Sequence, residues 1–116
     1  MMIINQESRY ALQIVLYISQ QSKHKIISAK EISDAEGISL NFILKISRNL
    51  AKNDILESSR GSKGGFRLKK EKINFFEIIK IIQGDPFTLE KNENEIDIFL
   101  YKIQKEMKTK LENKLI

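Results

Sequence analysis

The sequence predicts a mainly α fold with one small β-hairpin: a winged helix-turn-helix followed by a long C-terminal dimerisation helix. Three observations carry this reading. Residues 28–53 alternate helix signals with a glycine turn. Residues 60–68, RGSKGGFRL, place three glycines and three cations between two short strand-like runs. Residues 94–116 carry an apolar stripe along an otherwise charged helix.

The elements follow in order. From Ser8 to Gln21, Tyr10, Ala11, Leu12, Ile14, Val15, Leu16, Tyr17 and Ile18 cover most of a helix surface, so a first helix buried on several sides is expected. Ser28-Ala-Lys-Glu31 spells a capping box, in which the Ser hydroxyl accepts from the third helical N–H and Glu31 reaches back to the cap. It opens a second helix over Ala29–Glu36, which Gly37 ends in the left-handed conformation. Ser39 caps a third helix over Leu40–Asn53. On a helical wheel Ile43, Ile46, Ser47 and Leu50 share one side, and Asn41, Lys45, Arg48 and Lys52 share the other.

The runs DILESS and FRLKK, joined by RGSKGG, read as a hairpin. Asn74-Phe-Phe-Glu77 spells another capping box, opening a helix through Ile78, Ile79, Ile81 and Ile82 that stops at Gly84. A DNA-binding domain is therefore expected over residues 1–84, with a connector and dimerisation helix over 85–116. In that last helix, from about Asn94, the stripe comprises Ile96, Leu100, Ile103, Met107 and Leu111, flanked by Phe99 and Leu115. Pairing with a second copy is the economical way to cover it.

Composition narrows the chemistry. With no cysteine and one histidine, His24, the chain has no means of forming disulfides, thiolate nucleophiles or thiolate-held metal centres. No paired carboxylates mark a pocket, so no enzyme is expected, no cofactor is assigned, and His24 reads as a solvated loop residue or at most a phosphate contact. No apolar run reaches the roughly 18 residues of a membrane span, and MMIINQESRY lacks signal-peptide order, so a cytoplasmic protein with no membrane partner is expected. The net charge of +5 is concentrated in the middle: residues 23–72 hold twelve Lys and Arg against six Asp and Glu. Such an excess attracts polyanions.

In a winged helix-turn-helix the third helix enters the major groove and the wing lies over a neighbouring minor groove. The expected contacts with double-stranded DNA are Ser28, Ser39, Asn41, Lys45, Arg48 and Lys52 from the helices, and Arg60, Ser62, Lys63 and Arg67 from the hairpin. Lys and Arg pair with guanine acceptors and Asn with adenine, and Leu44 beside the basic face can meet a thymine methyl. Phe66 has the parity of a core anchor. Rival readings of the glycine segment are weaker. Its spacing is wrong for a P-loop, and Gly61-Ser-Lys-Gly64 matches the GXXG clamp of single-stranded RNA binders but joins strands where that clamp joins helices. A winged helix presenting its basic face to an acidic protein is the alternative class.

Residues 8–84 resemble the Rrf2 family of small dimeric bacterial regulators, which includes IscR, NsrR and CymR. The matching pieces are Arg9-Tyr10-Ala11, Glu36-Gly37-Ile38-Ser39, Phe42-Ile43-Leu44-Lys45-Ile46, Ile55 through Gly61, and Gly64-Gly65-Phe66-Arg67-Leu68. The resemblance implies a homodimeric, sequence-specific DNA-binding regulator with contacts at Ser39, Asn41, Lys45 and Arg60. Cluster-binding members carry three cysteines shortly after the position of Gly84, where this chain reads EKNENEIDIFLY. The resemblance is therefore to a cluster-free branch, in which an effector protein or small ligand delivers the signal. The expected outcome is a repressor on a palindromic operator.

Overall fold

The computed structural model describes residues 4–87 and 93–116, so the stretch 88–92 within the expected connector lies outside the described residues. Helix α1 (Gln6–Ser19) starts two residues earlier than the apolar pattern implies, because the Asn5 side chain accepts from the Ser8 N–H at 2.8 Å and caps it. Its buried positions are Ser8, Ala11, Ile14, Val15 and Ile18, whereas Leu16 is exposed.

Helix α2 (Ala29–Glu36) has the expected bounds and ends at Gly37 with φ of 66°. The capping box that opens it is half-formed. Ser28 Oγ accepts from the Glu31 N–H at 3.0 Å, but the Glu31 carboxylate accepts from the Tyr17 hydroxyl of α1 at 2.7 Å. That tertiary bond pushes the Tyr17 hydroxyl pKa up. Helix α3 (Leu40–Lys52) buries Ile43, Ile46, Ser47 and Leu50, the four residues that the wheel grouped.

Strands β1 (Leu56–Ser59) and β2 (Gly65–Leu68) pair antiparallel, with Glu57 opposite Arg67 and Ser58 opposite Phe66. Phe66 is buried beneath the hairpin, as its parity indicates. A third piece of extended chain joins them: Ile27 and Phe66 exchange backbone hydrogen bonds of 2.8 Å in each direction. This contact dictates Gly65. A Cβ there would overlap the Ile27 carbonyl oxygen and stand 2.6 Å from its carbon and 2.9 Å from Ser28 Cα.

Helix α4 (Phe75–Gln83) begins at Asn74, whose side chain accepts from the Glu77 N–H at 2.9 Å, and ends at Gly84. It packs against α1 on one side and α5 (Glu95–Asn113) on another. The core joins α1, α2, α3, the hairpin and α4 through Ile14, Ile32, Ile43, Leu50, Phe66 and Ile78. The end of α5 is tied back to it: Phe75 N–H donates to Lys114 O at 3.0 Å, and Ile116 N–H to Ile73 O at 2.9 Å. Among the described residues no helix is long and apolar enough to cross a membrane.

Candidate nucleic-acid interface

Helices α2 and α3 pack together around the turn at Gly37, and both N-termini carry a serine cap. Ser39 Oγ accepts from the Phe42 N–H at 3.4 Å, and Ser28 plays the same part for α2. Both serines are exposed, so each hydroxyl has its hydrogen free for an anion where the helix dipole already favours one.

The polar face of α3 follows from its buried face. With Ile43, Ile46, Ser47 and Leu50 fixed inward, Asn41, Lys45, Arg48 and Lys52 stand exposed, and Leu44 lies half-buried beside them. Lys45, Arg48 and Lys52 line a groove of about 360 Å³ together with Asn49, Glu7 of α1 and Ile82 of α4. Lys45 Nζ bonds Glu7 Oε1 at 2.9 Å, an ion pair whose side chains are 67% and 38% exposed. Such an exposed pair contributes little to stability and opens readily when a competing anion arrives.

Arg60, Ser62 and Lys63 occupy the exposed connection of the hairpin. That connection closes through a Gly64 N–H to Gly61 O bond of 3.0 Å, and Gly61 holds φ of 103°. Arg67 differs from the other hairpin cations. It is half-buried, and its Nε donates to Glu57 Oε2 across the strands at 3.0 Å. This hydrogen bond holds the Glu57 carboxyl below its usual range and raises Arg67 further. Lys69 is likewise raised by its hydrogen bond to Asp54, at 2.9 Å. Arg67 is thus engaged within the hairpin, whereas Arg60 and Lys63 have no ion-pair partner among the described residues.

Glu7 and Glu57 lay outside the sequence reading. Glu57 had a local signal, since hairpin register places it opposite Arg67. Glu7 had none, because 38 residues separate it from Lys45.

The expected dimerisation residues differ in burial along α5. Leu100, Met107 and Leu111 are half-buried and share a side with buried Gln104 and with Lys108, whose ammonium lies 5.2 Å from the Phe76 ring centroid of α4. Ile96, Phe99 and Ile103 are exposed, at 72%, 61% and 37%.

Comparison with known proteins supplies the context for this geometry. The family model Rrf2, described as "Iron-dependent Transcriptional regulator", matches residues 4–115. The HTH-type transcriptional regulator NsrR of Shouchella clausii is 40% identical over 73 residues, covering 61% of this chain and 49% of that protein. NsrR of Bacillus licheniformis is 32% identical over 78 residues, covering 66% and 54%. The chain spans about half the length of these curated relatives. Among solved structures, CymR, the global cysteine regulator of B. subtilis, superposes with a TM-score of 0.89 at 23% identity, covering 99% of this chain and 93% of that one. T. potens IscR superposes at 0.82 with 22% identity, covering 97% and 82%. At such identities these likenesses show the winged-helix fold.

The iron in the family's description finds no matching donors here. An iron-sulfur cluster needs thiolates, and the chain has no cysteine. Among the described residues no three His, Asp or Glu side chains converge to hold a metal ion either.

Proposed function

The chain belongs to the Rrf2 family, and from that premise we propose that it is a DNA-binding transcriptional regulator that acts as a homodimer, without an iron-sulfur cluster, on a palindromic operator. One observation carries this reading. A helix whose opposite side is wholly core presents Asn41, Lys45, Arg48 and Lys52 on its exposed side, beside a glycine hairpin that carries Arg60 and Lys63. Residues 1–84 form the DNA-binding unit, and 85–116 supply the connector and the dimer helix. The exposed Ile96, Phe99 and Ile103 meet the second copy, with Leu100, Met107 and Leu111 behind them.

The parts have separate tasks. Ser28 and Ser39 hold phosphates at helix N-termini, and Arg48 and Lys52 add phosphate contacts that set register. Asn41 and Lys45 read base edges in the major groove, where Lys45 exchanges Glu7 for a base acceptor. Arg60, Ser62 and Lys63 follow the minor groove, and Arg67 stiffens the wing through Glu57. Two such units about one helical turn apart read the two half-sites. Binding of this kind blocks transcription when the operator overlaps a promoter, which makes repression the expected mode.

Selection of bound fragments from random duplex, followed by a salt titration, tests the reading. A DNA binder gives an inverted-repeat site and a steep log-log loss of affinity with salt. Lys45→Ala then costs about 1–3 kcal/mol and relaxes preference at its base, whereas Arg60→Ala weakens binding. No duplex binding at low salt would instead favour an acidic protein partner. Light scattering tests the dimer: Phe99→Asp with Ile103→Asp should yield monomers, and a wild type already monomeric at micromolar concentration would refute that part.

A further inference from the structure

A cleft of about 440 Å³ lies between the end of α1, the loop that follows it, and the end of β2. Its volume is that of a small-molecule site. Ile18, only 5% exposed, and half-buried Leu68 contribute apolar surface from the core. The polar lining is dominated by cations, Lys23 and Lys25 from the loop and Arg67, Lys69 and Lys70 from the strand side, against the single carboxylate of Glu71; the His24 imidazole joins them from the loop.

Arg67, Lys69 and Lys70 are matched by Glu57, Asp54 and Glu77 at 3.0, 2.9 and 2.6 Å. Lys23 and Lys25 have no ion-pair partner among the described residues, so two ammonium groups remain to be neutralised beside one carboxylate. The loop that presents them is a shaped element. Gln21 N–H donates to Ile18 O at 3.1 Å, its side-chain amide to Tyr17 O at 3.1 Å, and Lys25 N–H to Ser22 O at 3.0 Å. Between them His24 holds φ of 69°, in the left-handed region that few residues with a Cβ occupy.

We propose that this cleft binds a small organic anion, a carboxylate or phosphate ester with an apolar body, as the effector of the regulator. The body rests on Ile18 and Leu68, and the anionic group is held by Lys23 and Lys25. The regulatory consequence rests on the DNA-binding reading above. One cleft wall continues through Ile27 to the Ser28 cap, the other is the strand of the wing, and the Ile27–Phe66 hydrogen bonds join the two walls. A ligand bridging the walls therefore acts on the wing and on α2 together.

Phenyl phosphate is a suitable probe, titrated at constant ionic strength into the isotope-labelled full chain and followed by amide chemical shifts. The expected result is saturable shifts in the millimolar range, centred on residues 18–25 and 67–71. They should weaken at least about ten-fold in Lys23→Ala/Lys25→Ala with the remaining spectrum unchanged. Inorganic phosphate should bind several-fold more weakly, and equal affinities would overturn the assignment to an organic anion. Absence of saturable shifts would overturn the site, as would shifts centred on α3 and the hairpin turn that survive the double variant. Saturation should slow hydrogen exchange at the Ile27 and Phe66 amides, and unchanged protection would overturn the link to the wing. The titration contains no DNA, so failure of this site and failure of the DNA-binding reading are separately visible.

Discussion

Gly65→Ala tests how the wing is attached. The added Cβ overlaps three backbone atoms of Ile27 and Ser28, and none of them belongs to a flexible side chain, so the strand must move away. Movement breaks the paired Ile27–Phe66 hydrogen bonds, each 2.8 Å long. At about 1 kcal/mol net per backbone bond, these account for about 2 kcal/mol. Phe66, 4% exposed in the core, is lifted with them, and partial exposure of such a ring adds about 1 kcal/mol. A loss of about 2–4 kcal/mol corresponds to a fall in Tm of about 8–16 °C for a domain of this size.

Thermal unfolding gives the magnitude, and hydrogen exchange gives the location. In Gly65→Ala the Ile27 and Phe66 amides should lose protection while the amides of α4 keep theirs. Gly37→Ala provides the comparison: its φ is 66°, but a Cβ there meets nothing within 4 Å, so its cost is the left-handed backbone alone, about 1–2 kcal/mol. If Gly65→Ala proves no less stable than Gly37→Ala, with Ile27 and Phe66 still protected, backbone overlap at Gly65 does not govern how the wing is attached.

Three further outcomes are expected. Glu7→Gln frees Lys45 and removes a carboxylate from the groove on α3, and should tighten low-salt duplex binding by up to about five-fold, read by fluorescence anisotropy; weaker binding would show that Glu7 positions Lys45. Ser47→Ala removes a fully buried hydroxyl that has no hydrogen-bond partner among the described residues, and denaturant unfolding should show a gain of about 1 kcal/mol, whereas a comparable loss would mean that the hydroxyl is satisfied. The Glu57 carboxyl, followed by NMR, should titrate below the ordinary glutamate range and return to it in Arg67→Gln. Because its folded-state pKa is lowered, the pair's contribution is present above the unfolded pKa and is lost as pH falls through the folded one.

The division between what the sequence revealed and what it hid follows interaction range. Helices α2 and α4 announce themselves because cap and glycine stop lie within one short window, and α3 follows from its serine cap and from a 3.6-residue period that sets its buried side. The exposed set Asn41, Lys45, Arg48 and Lys52 is the complement of that side and was legible for the same reason. Glu31 was misassigned because a capping box is a local rule, and Tyr17, 14 residues away, supplied a competing donor from another helix. Asn5 was overlooked because the apolar pattern begins after it.

The same reasoning explains Gly64, just before β2, and Gly65, its first residue. From the sequence, Gly64 and Gly65 look like a single flexible segment with Gly61. In the fold they answer to different neighbours. A Cβ on Gly64 would meet Ser59 O at 2.5 Å and Gly61 O at 2.9 Å, both inside the hairpin, so Gly64 is a requirement of the turn itself. Gly65 answers to Ile27, which lies outside the hairpin and one residue before the cap of α2. Glycine at Gly64 therefore lets the wing form, and glycine at Gly65 lets it dock where the helix-turn-helix begins. Docking of this kind fixes the wing cations relative to α3, as the proposed simultaneous reading of adjacent grooves requires.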